Sequence, residues 1–324
     1  MVDHLNRSQP VLAVVVPCFD EALVIEETAR RLLVVLDELM ARHVIAPSSF
    51  VYFVDDGSAD QTWELIKELH RNGGGGRAVK GLKLARNVGH QNALLAGLLN
   101  VKDRADCVIS MDADLQHDER ALPAFVEKYQ AGADIVFGVR ADRRTDSRYK
   151  KATALFFYKL MRLMGVKLIA NHADYRLSSR KALDALAAYG EVNLFLRGIF
   201  LDIGLKSETV TFEVRQRHAG RSKYSSRRML SFALDGITSF SVTPLRFVTL
   251  TGVLVFVLSF VLACYVLFTA LWGNVVPGWA STVLPIYFLG GLQIMMTGLV
   301  GEYLGKIYQE IKARPRYIKD EELF

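Results

Sequence analysis

The sequence predicts an α/β domain with a mainly parallel sheet, followed by an interfacial helix and two transmembrane helices. Short apolar runs alternate with amphipathic helical segments over the first 140 or so residues. Polar and acidic residues follow several of these runs, and ligands bind outside the carboxyl ends of parallel strands. Two later runs, 247–272 and 279–301, contain no Asp, Glu, Lys or Arg. Each is long enough to cross a hydrocarbon core as a helix.

The hydrophobic pattern places the elements of the α/β domain in order. Continuous apolar runs predict buried parallel strands, and apolar residues at helical spacing predict the helices between them. The predicted strands are 11–16, 50–54, 79–84, 107–111, 134–139 and, as an exposed strand, 209–215. The predicted helices are 21–42, 61–70, 90–99, 122–131 and 143–164, and 171–180 is predicted to be a polar loop.

The charge distribution predicts a membrane protein. The chain has 324 residues, a hydrophobic content of 51% and a net charge of +6. Basic residues cluster beside the two uncharged runs, whereas the connection 273–278 has no Lys or Arg. The positive-inside rule therefore predicts an integral protein of the cytoplasmic (inner) membrane, with the N-terminal domain and both termini cytoplasmic. Nucleic acid is the alternative partner of a basic chain, but no nucleic-acid motif is present.

These patterns divide the chain into four parts. We expect the α/β domain at 1–225, an interfacial amphipathic segment at 226–245, two transmembrane helices within 246–305, and a cytoplasmic basic tail at 306–324. Glycines in the second uncharged run and after it provide surfaces for close helix packing, so a homo-oligomer is a further expectation.

The most informative motif is Asp112-Ala113-Asp114, directly after the predicted strand 107–111. Residues i and i+2 at a strand end point to the same side, so Asp112 and Asp114 can hold one hard cation between them. Mg²⁺ or Mn²⁺ takes oxygen ligands and is often shared with the phosphates of a substrate. The motif therefore predicts a nucleotide diphosphate held through a metal, with a solvated acidic turn as the alternative. Polar clusters after two other strands, Pro17–Glu21 and Asp55-Asp56, favour the nucleotide site.

Six blocks of the sequence, taken in order, resemble the family 2 glycosyltransferases. They are Val16-Pro-Cys-Phe-Asp-Glu21, Val54-Asp-Asp-Gly-Ser58, Arg86-Asn-Val-Gly-His-Gln91, Met111-Asp-Ala-Asp-Leu-Gln116, Asp174-Tyr-Arg-Leu177 and His218-Ala-Gly-Arg-Ser-Lys-Tyr224. The later segments Asp235–Ser241 and Pro244–Arg246, with the two uncharged runs, resemble the polyprenyl-phosphate branch, which includes bactoprenol glucosyltransferases and dolichol-phosphate mannose synthases. Two positions depart from the family pattern: Asp20 stands where Asn is usual, and Phe19 where Tyr is common.

The resemblance implies a GT-A (Rossmann-like) fold and a sugar-nucleotide donor. It implies that the nucleotide sugar is bound by Pro17, Phe19, Glu21, Asp55, Asp56 and Asp112. It also implies a Mg²⁺ or Mn²⁺ ion on Asp112, Asp114 and Gln116. The chain lacks the Gln-x-x-Arg-Trp motif of processive synthases, which argues for transfer of a single sugar.

The acceptor implied by the resemblance is a lipid phosphate. A phosphate oxygen is mostly ionised at neutral pH, so positioning and charge stabilisation should carry most of the catalysis. Catalytic roles are predicted for Asp114, Asp174 and Lys223. Asp174 either orients the acceptor, acts as a base, or makes a structural hydrogen bond. Acceptor or phosphate binding is predicted for Arg140, Arg176, Arg217, Arg221, Ser222 and Lys223, with a general anchor at lipid headgroups as the alternative for the last four.

The predicted function is therefore inverting transfer of one monosaccharide to a polyprenyl phosphate such as undecaprenyl phosphate. UDP-glucose is the leading donor by resemblance, and GDP-mannose, a UDP-N-acetylhexosamine or a UDP-aminopentose remain open. His90 and Gln91 lie at a predicted helix start, where capping or packing competes with substrate contact. The alternative from a different class is a non-catalytic nucleotide-sugar-binding partner of a membrane glycosylation complex.

Overall fold

The computed structural model describes residues 7–72, 78–141, 172–192, 194–213, 243–271 and 278–324. The chain divides into two compact units. The first contains residues 1–160, 167–225 and 315–324, and the second contains residues 161–166 and 226–314. The predicted helix 143–164 and most of the predicted interfacial segment 226–245 lie outside the described residues.

The first unit is built on a mixed sheet with eight described strands in the order β7-β5-β6-β4-β1-β2-β3-β8. The strands are β1 (Leu12–Cys18), β2 (Phe50–Asp55), β3 (Val79–Leu84), β4 (Cys107–Ser110), β5 (Ile135–Arg140), β6 (His172–Ser179), β7 (Ser207–Phe212) and β8 (Lys319–Leu323). Among them only β6 and β8 run against the common direction. The mainly parallel sheet predicted from the sequence is confirmed.

The helices of the first unit pack against the buried strands of the sheet through their apolar faces. The described helices of this unit are α1 (Ile25–Ala41), α2 (Thr62–Asn72), α3 (His90–Val101), α4 (Leu122–Gln130), α5 (Arg180–Ala187) and α6 (Leu196–Asp202). In α1 the buried Ile25, Leu32 and Leu39 recur at helical spacing. Every residue of β1 is buried, as expected for a central strand that is covered on both faces.

One predicted element of this unit is wrong. Residues 171–180, predicted as a polar loop, contain strand β6, which lies between β4 and β5 and runs antiparallel to both. The hydrophobic pattern fails here because β6 carries two charged residues, the buried Arg176 and the largely buried Asp174, which lie 3.8 Å apart. Buried charges are tolerated when they are paired, but they remove the apolar signal of a strand. Helices α5 and α6 were not predicted either.

The second unit contains two long described helices, α7 (Thr243–Leu271) and α8 (Trp279–Lys312), of 29 and 34 residues. They cover almost all of the two uncharged runs, so the predicted helical conformation is confirmed. Within the described residues, no helix combines the length and the apolarity that a membrane crossing requires. The two transmembrane spans therefore stay a prediction.

The segment predicted as a basic tail, 306–324, is structured. Its first part continues α8 to Lys312, and Lys319–Leu323 forms β8, which pairs antiparallel with the edge strand β3. The charged sequence of β8 has no strand pattern, because four of its five side chains stay exposed at the sheet edge. Tertiary contacts hold it instead: the Trp63 indole N–H donates to Glu321 Oε2 at 2.8 Å.

Candidate functional site

The carboxyl ends of β1 and β2 are joined by reciprocal hydrogen bonds. The Asp20 backbone N–H donates to Ser58 Oγ at 3.0 Å, and Asp20 Oδ1 accepts from the Ala59 N–H at 2.9 Å. Asp20 has a φ of 51°, a left-handed conformation that Asp and Asn tolerate better than most residues. The departure from Asn at this position is therefore compatible with the local backbone. Pro17 lies near the end of β1, and Phe19 and Glu21 lie in the turn that follows the strand.

Asp55 and Asp56 are buried at the end of β2 and organise the surrounding loops. Asp55 Oδ1 accepts from the backbone N–H and the hydroxyl of Ser58. Asp56 accepts from the Val88 N–H at 2.8 Å and the Gly89 N–H at 3.0 Å. Burial raises the pKa of both carboxyls, although these hydrogen bonds oppose the shift. Asp56 therefore fixes the loop that leads into α3.

Asp55 also presents an open acceptor. Its second carboxylate oxygen, Oδ2, is buried and has no hydrogen-bond partner among the described residues. Buried polar atoms almost always have a partner, so this oxygen is suited to accept from a bound ligand. Asp55 was predicted to bind the nucleotide, and its geometry is compatible with that role.

The motif Asp112-Ala113-Asp114 forms a tight turn after β4. Asp114 Oδ1 accepts from the Gln116 backbone N–H at 3.1 Å, and Leu115 has a φ of 60°. The Ala113 carbonyl accepts from the Thr28 hydroxyl at 2.9 Å, which ties the turn to α1. The backbone of the turn is thus held from inside, while the side chains of Asp112 and Asp114 are partly exposed.

His117 supports this turn from below. Its Nδ1 accepts from the Asp112 backbone N–H at 3.3 Å, which leaves the ring hydrogen on Nε2, 3.7 Å from Asp112 Oδ2. The ring is buried and stacks on Tyr175 with centroids 5.1 Å apart. Burial lowers the pKa of His117 against the opposing pull of Asp112 and Asp114, which favours the neutral imidazole.

Asp174 joins the acidic turn to α6. It lies on β6, and its backbone carbonyl accepts from the Ser110 hydroxyl at 2.7 Å. Arg197, in α6, donates to both Asp174 carboxylate oxygens at 3.0 and 2.8 Å. His90 Nε2 lies 3.5 Å from Asp112 Oδ1 and 3.9 Å from Asp174 Oδ2. The side chains of Asp112, His90, Asp174 and Arg197 therefore lie together at one edge of the sheet. The turn that follows β4 places Asp114 two residues after Asp112.

The ion pair with Arg197 determines the protonation state of Asp174. Burial alone would raise its pKa, but the charge and hydrogen bonds of Arg197 outweigh burial and hold the pKa well below the usual range. A carboxylate with so low a pKa is ionised at neutral pH and is a weak proton acceptor. Of the alternatives left open by the sequence, the geometry favours orientation or structural support over general-base catalysis.

Arg176 differs from its predicted role. Its side chain is fully buried, 3.8 Å from Asp174 Oδ1, with the guanidinium 4.0 Å from the Phe200 ring centroid. Burial lowers its pKa to about 10, although Asp174 opposes that shift. This burial disagrees with the predicted contact between Arg176 and a phosphate. The residue instead supports Asp174 from the protein interior.

The remaining predicted residues fall into two groups. Arg140 ends β5, at the same edge of the sheet as the acidic turn because β5 and β4 share one direction. Arg217, Arg221, Ser222 and Lys223 lie outside the described residues. No group of three or more His, Cys, Asp or Glu side chains is arranged to hold a metal in the described part of the chain. Asp112 and Asp114 still fit an ion shared with phosphates, which needs only one or two protein carboxylates.

Sequence reasoning missed Arg197 and the supporting role of His117. Arg197 lies in no recognisable block, and its only signal is indirect, because a buried Asp174 requires a cationic partner. His117 directly follows the Met111–Gln116 block, but a buried ring next to a motif has no spacing pattern that identifies it.

Comparison with known proteins defines the class. Residues 13–187, more than half of the chain, match the family described as Glycosyl transferase family 2. The chain belongs to this family, and its architecture is the GT-A-like α/β fold. The predicted resemblance is confirmed.

Individual relatives indicate which branch of the family this chain resembles. An uncharacterized glycosyltransferase, YkoT of Bacillus subtilis (strain 168), is 51% identical over 321 residues, which cover 99% of this chain and 94% of the relative. The bactoprenol glucosyl transferase of Shigella phage SfX is 40% identical over 270 residues, or 83% of this chain and 87% of the relative. These relatives support the polyprenyl-phosphate branch. A solved glucosyl-3-phosphoglycerate synthase from Mycobacterium tuberculosis has a TM-score of 0.46 and 17% identity, covering 71% of this chain and 79% of that one.

Proposed function

We propose that this chain is a metal-dependent, inverting glycosyltransferase that moves one monosaccharide from a nucleotide sugar to a polyprenyl phosphate. UDP-glucose is the leading donor, and undecaprenyl phosphate represents the acceptor class. The observation that carries the proposal is the position of Asp112 and Asp114 beside the Asp174–Arg197 pair, at the carboxyl ends of the strands. The similarity to a protein named bactoprenol glucosyl transferase supports a glucosyl group and a polyprenyl acceptor.

The reaction requires one substitution at the anomeric carbon of the sugar. An oxygen of the lipid phosphate forms a bond to that carbon while the bond from the carbon to the diphosphate oxygen breaks. The nucleoside diphosphate leaves with the bonding electrons, and attack on the opposite face inverts the configuration. Because the attacking oxygen is already ionised, no proton has to be removed, and the low pKa of Asp174 is no obstacle.

Each part of the site then has a role. Asp55, with its open buried oxygen, accepts a hydrogen bond from the nucleoside, and Asp56, Pro17, Phe19 and Glu21 shape the surrounding turn. Asp112 and Asp114, with Gln116, would hold Mg²⁺ or Mn²⁺, which as a Lewis acid stabilises the charge of the leaving diphosphate. Asp174 orients Arg197 and His90 at the edge of the acidic turn. The proposed phosphate-binding groups are Arg140, Arg217, Arg221, Ser222 and Lys223.

A lipid acceptor requires a membrane, and we propose that α7 and α8 lie within it. Large apolar side chains are exposed along both helices, among them Phe247, Leu254, Phe288 and Ile294. Such continuous apolar exposure is rare on proteins that contact only water. The distribution of basic residues supports a cytoplasmic position for the first unit and both termini. Retention in the membrane pellet after alkaline carbonate would support the proposal, and release into the supernatant would contradict it.

The glycines of α8 suggest a second property of these helices. A Cβ added at Gly291, Gly298 or Gly301 would meet no atom within 4 Å. Helices in membranes associate through such small residues, so we propose that the protein forms a homo-oligomer through α8. Crosslinking in native membranes would test this, and a monomer at all protein concentrations would contradict it.

The test of the enzyme function is transfer from a panel of radiolabelled sugar nucleotides to undecaprenyl phosphate. The full chain is assayed in detergent with Mn²⁺ or Mg²⁺ and, in parallel, with EDTA. We expect metal-dependent label in the lipid fraction from one donor, which identifies the sugar. A folded protein that binds UDP but transfers nothing from any donor would contradict the proposal and favour the non-catalytic partner.

A further inference from the structure

Residues 315–324 contact two segments that position the active site. We call this segment the C-terminal strap. It follows α8, which ends at Lys312, but it belongs to the first unit and includes β8. Two of its contacts, at strand β3 and at the loop before α6, reach segments that lead to the site.

The first contact supports the loop that enters α3. Beyond the paired strands, the Ala85 backbone N–H donates to the Ile318 carbonyl at 3.0 Å. Of the next residues, Arg86 and Asn87 approach Gly57 closely, and the backbone N–H groups of Val88 and Gly89 donate to Asp56. His90 follows directly as the first residue of α3. The strap thus fixes the start of a segment that ends beside Asp112.

The second contact supports the loop that enters α6. Arg316 Nη1 donates to the carbonyls of Tyr189 and Glu191, both at 3.2 Å. The Tyr189 hydroxyl donates to Asp202 Oδ2 at 2.9 Å, at the last residue of α6. One guanidinium therefore holds the loop whose own contacts determine the position of α6.

α6 in turn brings Arg197 to Asp174. Its first backbone N–H, of Leu196, donates to Gln91 Oε1 at 2.9 Å, which connects α6 to the start of α3. The two supported loops are thus linked to each other as well as to the strap. A change in either loop would move Arg197 or His90 relative to Asp112.

The strap is itself firmly held. Its terminal Phe324 packs on Tyr52 with ring centroids 5.2 Å apart, and the Arg104 guanidinium lies 3.4 Å from the Phe324 centroid. Asn100 Nδ2 donates to Glu322 Oε1 at 3.0 Å. These anchors lie on β2, in α3 and in the turn after α3, so the strap can transmit a fixed position to Arg316.

We propose that the C-terminal strap is a positioning element of the active site, in which Arg316 holds the loop 189–191 and through it the Arg197–Asp174 pair. The role in transfer rests on the proposed glycosyltransferase function. The strap follows α8 closely in the chain but belongs to the first unit. Arg316 is a positioning residue and does not contact substrate.

The test compares Arg316→Ala and Arg316→Lys with the control Arg314→Ala, all in the full chain. Arg314 is exposed and carries the same charge two residues away. We expect Arg316→Ala to speed hydrogen–deuterium exchange in residues 189–202 and to lower kcat/KM for the lipid acceptor roughly tenfold or more. UDP affinity should stay unchanged. Arg316→Lys should restore part of both effects, because an ammonium can also donate to two carbonyls.

The outcomes separate the two proposals. Exchange and kinetics of Arg316→Ala that match those of Arg314→Ala would overturn the positioning role. Equal loss of UDP binding and transfer, with a lower melting temperature, would also overturn it and indicate general destabilisation. If the parent chain transfers no sugar, the proposed function fails, while the exchange measurement still shows whether Arg316 holds the loop and α6.

Discussion

Two acidic clusters flank the central strand β1, and they are built in opposite ways. At the end of β2, Asp55 and Asp56 are buried, and three of their four carboxylate oxygens accept hydrogen bonds from within the protein. At the end of β4, the side chain of Asp112 is 35% exposed and its carboxylate faces the ring nitrogens of His90 and His117. The same residue type at equivalent positions of a sheet thus has different surroundings.

This difference indicates that the cluster at the β2 end organises loops, whereas the cluster at the β4 end is suited to chemistry. Carboxylates that accept backbone N–H bonds fix the shape of a turn, and they have few oxygens left for a ligand. Carboxylates that remain partly exposed on a rigid turn can bind a cation or a phosphate-bound metal. We therefore expect substitutions at the β2 end to reduce mainly stability, and substitutions at the β4 end to reduce mainly activity.

The largest expected effect is at the β4 end. Asp112→Asn and Asp114→Asn should each lower the transfer rate about 10²- to 10³-fold, the usual loss for one group that stabilises transition-state charge. The free energy of unfolding should change by no more than about 0.5 kcal/mol, because both side chains are partly exposed. Transfer kinetics and urea unfolding measure the two quantities.

The matched control for these variants is Asp37→Asn, an exposed carboxylate of α1. It should retain both transfer and stability. A large loss of stability in Asp112→Asn, or full activity in Asp114→Asn, would break the comparison between the two clusters.

The second effect concerns Gly57 at the β2 end. Gly57 has a φ of +68°, and a Cβ there would lie 2.6 Å from the Arg86 carbonyl carbon. Gly57→Ala should destabilise the fold by about 3 kcal/mol, because backbone strain and a clash with a neighbouring backbone combine. Gly89 has a φ of +89° but no atom within 4 Å of such a Cβ, so Gly89→Ala should cost about 2 kcal/mol from strain alone.

Urea unfolding of both variants, with Gly190→Ala as control, measures this difference. A Cβ at Gly190 meets nothing within 4 Å, and this variant should be near neutral. If Gly89→Ala lowered the free energy of unfolding more than Gly57→Ala did, the close approach of the 86–89 loop to Gly57 would not be the main contribution to stability at the β2 end.

The third effect tests the supporting part of the β4 end. Arg197→Ala leaves the Asp174 carboxylate without its bidentate partner and should destabilise the fold by about 2 kcal/mol, less than for a fully buried pair. The Arg197 side chain is 32% exposed, which lets water replace part of the interaction. Addition of Asp174→Asn should recover part of the loss, because a neutral amide needs no cation. Additive losses in the double variant would show that the two residues are not coupled.

Much of the sheet could be predicted from the sequence, because β1 to β5 are apolar runs that end at polar residues. The prediction failed at β6 and β8, where charged residues form strands. In β6 the charges of Asp174 and Arg176 are paired in the interior, and in β8 they lie on an exposed edge. Hydrophobic periodicity detects neither case, since both strands depend on partners distant in the chain.

The same distinction applies to the site. Asp112, Asp114 and Asp55 belong to local motifs with a fixed relation to a strand end, and their placement there followed from the sequence. Arg197 reaches Asp174 only after β6 and α6 have packed, and Arg316 reaches Tyr189 from the other end of the chain. Such contacts carry no local pattern, so only the fold could identify them.

The smallest expected effect is a pair of opposite pH dependences. Burial raises the pKa of Asp55 above its value of about 3.9 in the unfolded chain, so the folded state takes up the proton first as the pH falls. The parent chain should therefore gain stability relative to Asp55→Asn between pH 7 and about pH 4. Arg197 outweighs burial at Asp174 and lowers its pKa, so the unfolded state takes up that proton first.

The parent chain should then lose stability relative to Asp174→Asn only below about pH 4, where the unfolded chain becomes protonated. One proton changes the free energy of unfolding by at most about 1.4 kcal/mol per pH unit, so urea unfolding at half-unit steps from pH 7 to pH 3 resolves both trends. Trends of the same sign would mean that the β2 and β4 ends respond alike. Opposite trends, on opposite sides of about pH 4, would show that burial governs the charge of one cluster and an ion pair governs the charge of the other.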